Sequence, residues 1–195
     1  MSHGNRRESI TGWFRKNIPN LLTLLNLLSG LSVLYLCIGK GEPDYHVFSC
    51  LFILMAAVLD ALDGTLARVL GVQSDFGKQL DSLADLITFG VAPIAVLVTI
   101  EPIGATTALL CVLVLYPVAG AFRLARFNLG DYTTHFVGLP ITAAGAIQAC
   151  FALLITHYTF PLPWVAGSTA LLTLLLSLLM ASTFKISKYK VNRKK

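Results

Sequence analysis

Six long apolar runs constrain this chain more than anything else in it. They fall at about 20–38, 46–69, 80–100, 105–127, 137–156 and 165–184, each near the ~20 residues an α-helix needs to cross the hydrocarbon of a bilayer. In lipid, every backbone N–H and C=O must be satisfied within the protein, which makes helices the solution for runs of this length. Charged residues are 13% of the chain, about half the share in a soluble domain. The breaks carry turn chemistry: Gly39-Lys40-Gly41-Glu42-Pro43, Glu101-Pro102-Ile103-Gly104 and Phe160-Pro161-Leu162-Pro163. The expected fold is all-α, a polytopic membrane protein with a six-transmembrane-helix bundle.

Lysine and arginine mark the cytoplasmic side. Six spans threaded from a cytoplasmic N-terminus put four basic groups on that side. These are Arg6, Arg7, Arg15 and Lys16; Arg68 and Lys78; Arg123 and Arg126; and Lys185, Lys188, Lys190, Arg193, Lys194 and Lys195. Lys40 alone falls outside, and five spans would break the bias. Both termini are therefore expected on the cytoplasmic face of the cell membrane. Between Arg6 and Asn17, Ile10, Trp13 and Phe14 alternate with charges, as in a short amphipathic helix lying on anionic headgroups. The first run is too long for a cleavable signal, and no small-residue cleavage site follows it. The chain divides into an N-terminal interfacial segment (1–18), a membrane domain (19–184) and a basic cytoplasmic tail (185–195). Cys37, Cys50, Cys111 and Cys150 lack CxxC spacing and read as core packing. The leucine-rich last run shows no polar stripe and reads as facing lipid or a partner subunit. No nucleic-acid partner is expected.

Against this background stand four aspartates, Asp60 and Asp63 in the second run and Asp81 and Asp85 in the third. A carboxylate at bilayer depth is costly unless something pairs it, and only Arg68 and Lys78 lie near in sequence. Asp60, Asp63, Gly64 and Ala67 share one helical face, and Gly77, Asp81 and Asp85 form a stripe on the next helix. Like charges at these spacings repel, so two facing acidic stripes call for cations. All-oxygen ligation favours hard divalent ions, Mg²⁺ or Mn²⁺, with Ca²⁺ the further option. Gly64, Ala67 and Gly77 clear bulk beside the acids, for close helix packing or for a ligand. Together with Arg68 they favour a phosphate-bearing ligand, since metal plus arginine clamps phosphoryl oxygens. Both stripes flank the connection around 70–76, so the site opens at the cytoplasmic interface.

The segment Asp60-Ala61-Leu62-Asp63-Gly64-Thr65-Leu66-Ala67-Arg68, eight residues, then Gly77-Lys78-Gln79-Leu80-Asp81-Ser82-Leu83-Ala84-Asp85 fits DxxDGxxARx8GxxxDxxxD without a departure. In this it resembles the CDP-alcohol phosphotransferases. The resemblance implies a six-helix core, a homodimer, two divalent metals, and transfer of a substituted phosphate from a CDP-linked donor to an alcohol with release of CMP. Further segments are similar to the family's small bacterial and archaeal branch that joins CDP-diacylglycerol to L-serine. They are Pro19 to Gly30, Ser82 to Pro93, Arg123-Leu124-Ala125-Arg126-Phe127-Asn128 and Phe136-Val137-Gly138-Leu139-Pro140. Carried over residue by residue, the resemblance implies that Asp60, Asp63, Asp81 and Asp85 hold the metals, with Asp85 also the catalytic base. It places Asp63, Gly64, Ala67, Arg68 and Gly77 around CDP, with Asn26 added. Arg123 and Arg126 are the cations available for the acceptor's carboxylate, or for topology and lipid headgroups. Glycerol 3-phosphate or an inositol phosphate is the alternative acceptor. A cation transporter or channel using the carboxylates is the rival class, though the acids gather near one face and no inverted repeat is visible.

Overall fold

The computed structural model describes residues 3–39, 44–71, 74–101, 103, 107–129, 135–158, 160–182 and 185–187, without the side chains of 3–17, 66–68, 70, 135–137 and 185–187. It is a helical bundle. The elements are α1 (His3–Gly39), α2 (Tyr45–Leu70), α3 (Asp75–Asp85), a π-helical turn (Leu86–Val91), α4 (Ala92–Thr99), α5 (Thr107–Leu129), β1 (His135–Val137), α6 (Ile141–His157), α7 (Leu162–Ala181) and β2 (Lys185–Ser187). The two short strands pair antiparallel, Phe136 opposite Ile186.

Among the described residues, five helical stretches are long and apolar enough to cross a membrane: Ile18–Gly39, Tyr45–Thr65, Asp75–Thr99, Thr107–Leu129 and Leu162–Ala181. The run expected at 137–156 is a shorter apolar helix, Ile141–His157. Its start is delayed because Gly138 takes a positive φ of 71°, a conformation other residues rarely adopt, and Pro140 then opens the helix. The N-terminal segment is helical but continues through Pro19 into the first span, so no separate interfacial helix stands apart as an element. Of the segment expected as a basic tail, Lys185–Ser187 is strand and residues 188–195 lie outside the described residues.

The third span is the structural pivot. Pro93 has no N–H to give the carbonyl four residues back, and its ring crowds that carbonyl. The carbonyl in question is that of Phe89. The chain answers with a π turn, in which Ala92 N–H bonds Ile87 O five residues back, and the Tyr116 hydroxyl donates to Phe89 O at 3.2 Å. Two glycines let neighbours close on this turn. A Cβ on Gly30 would lie 2.8 Å from Thr88 Cα, and one on Gly145 would lie 2.9 Å from Phe89 Cα. Phe89, Leu97, Tyr116, Ile53 and Ile141 fill the core around it.

Two expectations are corrected. α7 does carry a polar stripe: Thr169, Thr173 and Ser177 are buried at four-residue spacing, and Thr173 accepts from Gln148 Nε2 of α6 at 3.1 Å. Polar side chains join neighbouring helices in lipid, where hydrocarbon offers them no partner. The cysteines are all free thiols, but only Cys37 and Cys50 are core; Cys111 and Cys150 are exposed on the bundle's outer surface.

Candidate active site

The acids come from the C-terminal part of α2 and from α3, on either side of the connection around 70–76. Ser74 caps α3, its Oγ accepting from Gly77 N at 3.0 Å, which satisfies one of the donors a helix start leaves free. A Cβ on Gly77 would lie 2.9 Å from Asn20 Oδ1 and 3.1 Å from Ser74 Oγ. Gly77 thus serves the approach of α1 to the cap, and it does not line the cavity described below.

One carboxylate oxygen from each of Asp60, Asp63 and Asp81 lies within 4.8 Å of the others. Three ionised acids so close repel by about 3–4 kcal/mol per pair at an effective dielectric near 20. Part of the charge is answered by hydroxyls. Thr23 of α1 donates to Asp63 Oδ2 at 3.0 Å, and Thr142 of α6 donates to Asp60 Oδ2 at 2.8 Å. Asp85, buried one turn beyond Asp81, accepts from Asn26 Nδ2 at 3.4 Å. Asp81 Oδ1 is buried with no hydrogen-bond partner. A buried acceptor that only a cation or donor can satisfy, among three hard oxygen ligands, is what a divalent metal site requires. The residues fit such an ion.

A cavity of about 280 Å³ adjoins the cluster, with Asp60, Gly64, Asp81, Asp85, Arg123 and Thr142 in its wall. A Cβ on Gly64 would meet nothing within 4 Å, so this glycine leaves open space beside the acids. Lys78, Ser82 and Asn128 close another side. Lys78 Nζ donates to Asn128 O at 3.2 Å, and Asn128 Nδ2 donates to Ser82 Oγ at 2.9 Å, which ties α3 to α5.

The structure therefore brings together Asp60, Asp63, Asp81, Asp85, Gly64 and Arg123. It separates the two arginines. Arg126 spends its fork on the end of α7, NH1 donating to Ala181 O at 3.1 Å and NH2 to Ser182 O at 2.9 Å, carbonyls that a helix C-terminus leaves unpaired. It does not line the cavity. Asn26, expected at CDP, is fully buried behind Asp85 and is likewise absent from the cavity wall. Ala67 and Arg68 belong to α2, but their side chains lie outside those described. Thr23, Thr142, Ser82 and Asn128 are site residues that sequence reasoning did not single out, and Lys78 was noted only as a nearby cation. Among these, a hydroxyl at Thr23, inside an apolar run, was a signal there to read.

Comparison with known proteins agrees with this geometry. Residues 16–183 match the CDP-alcohol phosphatidyltransferase family. Several relatives bear the name CDP-diacylglycerol–serine O-phosphatidyltransferase. That of Helicobacter pylori is 34% identical over 180 residues, covering 88% of this chain and 72% of the relative. That of Methanocaldococcus jannaschii is 34% identical over 172 residues, covering 88% and 74%. That of Bacillus subtilis is 35% identical over 182 residues, covering 89% and 91%.

Proposed function

This chain belongs to the CDP-alcohol phosphatidyltransferase family, and from that premise we propose that it transfers the phosphatidyl group of CDP-diacylglycerol to the hydroxyl of L-serine, giving phosphatidylserine and CMP. The observation that carries the reading is the juxtaposition of three carboxylates within 4.8 Å with a cavity whose wall also holds Asp85 and Arg123. The names of the relatives support serine as acceptor.

Asp60, Asp63 and Asp81 would hold the divalent cations, two of Mg²⁺ or Mn²⁺, with Asp85 beside the second. Such ions supply charge neutralisation at the pyrophosphate and ease the departure of CMP. Asp85 takes the proton from the serine hydroxyl as its oxygen bonds to the lipid-bearing phosphorus, while the bond from that phosphorus to the CMP oxygen breaks. Arg123 holds the serine carboxylate. Gly64 leaves room for CDP against the α2 backbone, and Arg68 clamps its phosphates. Arg126 supports the site by fixing α7, and its part in acceptor binding is the weaker half of the arginine pair.

In the membrane, α6 serves as the sixth span. Its 17 residues reach about 26 Å, at the short end of spanning length. Both termini and the acids then face the cytoplasm, where a soluble acceptor meets a lipid donor. A homodimer follows from the resemblance of the motif.

Purified protein in detergent with CDP-diacylglycerol, Mg²⁺ or Mn²⁺ and radiolabelled serine should release CMP and label lipid. Glycerol 3-phosphate or inositol phosphate supporting release in place of serine would move the chain to another branch. Isotope flux into liposomes without CMP release would favour the transporter. Asp85→Asn should abolish turnover while sparing the binding of donor and Mn²⁺; loss of Mn²⁺ binding would make Asp85 a ligand first.

A further inference from the structure

The cavity wall shows one face of Asp85; what holds the other face is a separate matter. Behind it sits Asn26 of α1, with no exposed surface. A carboxylate can only accept here, so the amide must turn its Nδ2 toward Asp85, and the distance is 3.4 Å. That orientation leaves Asn26 Oδ1 buried without a partner, an arrangement that disfavours folding. A hydrocarbon side chain would sit there at less cost, so the amide is held for what its nitrogen does.

Asn26 is itself fixed. Thr88, in the π turn three residues past Asp85, donates its hydroxyl to the Asn26 carbonyl at 3.0 Å. Gly30, one turn along α1, lets the two backbones meet, since a Cβ there would lie 2.8 Å from Thr88 Cα. The π turn, the threonine and the glycine together set α1 against the third span at the depth of Asp85.

We propose that Asn26 is a positioning residue for Asp85, donating to its Oδ1 from the buried side and fixing the carboxylate that meets the acceptor hydroxyl, with Thr88 holding Asn26 in register. This replaces a donor-binding role for Asn26, and it rests on Asp85 acting on the acceptor as set out above.

The test is a steady-state comparison of Asn26→Ala, Thr88→Val and Thr88→Ser, with the thermal shift on adding CDP-diacylglycerol and Mn²⁺ as a second readout. Asn26→Ala should lower kcat on the order of 100-fold, the scale of a misplaced catalytic group. KM for CDP-diacylglycerol should stay within about twofold, as for an interaction absent from ground-state binding, and the thermal shift should be kept. Thr88→Val should lower kcat at constant KM, and Thr88→Ser, which keeps the hydroxyl, should restore it. A raised KM and a lost thermal shift at unchanged kcat would return Asn26 to the donor pocket. Should Asn26→Ala not fold, the Thr88 pair decides: equal kcat in Val and Ser overturns the proposal. If the unsubstituted protein binds donor yet releases no CMP with any alcohol, the reaction itself fails and the inference falls with it.

Discussion

Two groups of buried polar side chains in this bundle obey opposite rules. Between α6 and α7, each side chain makes a hydrogen bond, with only Gln148 Oε1 left unpartnered. Thr169 and Ser177 donate to carbonyls one turn back at 2.7 Å, and Gln148 donates to Thr173. Where α2 meets α3 the side chains are four acids, all acceptors when ionised, with Asp81 Oδ1 unpartnered. The Gln148–Thr173 bond contributes to helix association; the acids oppose it. Neutral polar groups that bond one another or their own helix are architecture, whereas a cluster of like-charged acceptors calls for a cation.

The comparison breaks most sharply at the acids. Asp60→Asn or Asp63→Asn should cost turnover on the order of 10³-fold, as removal of a principal electrostatic element does. The melting temperature of metal-free protein should rise, because a repulsive charge is gone. A fall in that temperature, measured in chelator, would mean that the acids support the fold. A middle-sized effect separates two glycines. Gly145→Ala should destabilise by about 1–3 kcal/mol, the cost of overpacking, because Phe89 backbone stands where the methyl must go. Gly64→Ala has open space and should leave melting unchanged while raising KM for CDP-diacylglycerol; a lowered melting point there would remove Gly64 from the pocket. The smallest effect belongs to Gln148→Leu. A membrane hydrogen bond of this kind averages about 0.6 kcal/mol, so stability should move little and turnover should hold. A collapse of turnover would bring the α6–α7 stripe into the functional machinery.

Much of this was legible because helical spacing is local. Asp60 with Asp63, and Asp81 with Asp85, fall on single faces by counting, and the α2–α3 connection is short enough to bring the faces together. The apolar runs fixed the bundle, but the π turn before Pro93 depends on what can reach Phe89. Contacts across distant helices were not legible. Thr142 reaches Asp60 from 82 residues away, and no spacing rule connects them. Arg123 and Arg126 are three residues apart and equal on paper. What divides them is where the end of α7 comes to rest, which is tertiary. The α7 stripe was missed for a different reason: hydroxyls that bond back to their own helix barely disturb an apolar pattern.

The π turn also gives the third span two independent phases. An α-helix turns about 100° per residue, and a π turn takes in one more residue than the regular spiral. The inner half, with Asp81 and Asp85, is thereby clocked separately from the outer half, with Val96 and Leu97. Removal of a single residue from 86–91 would take away that extra residue, and the regular α-helix left behind would set the ring of Pro93 against the carbonyl four residues back. Length, and not only composition, is under constraint in this stretch, and a one-residue deletion here should be far more damaging than one in the α6–α7 connection.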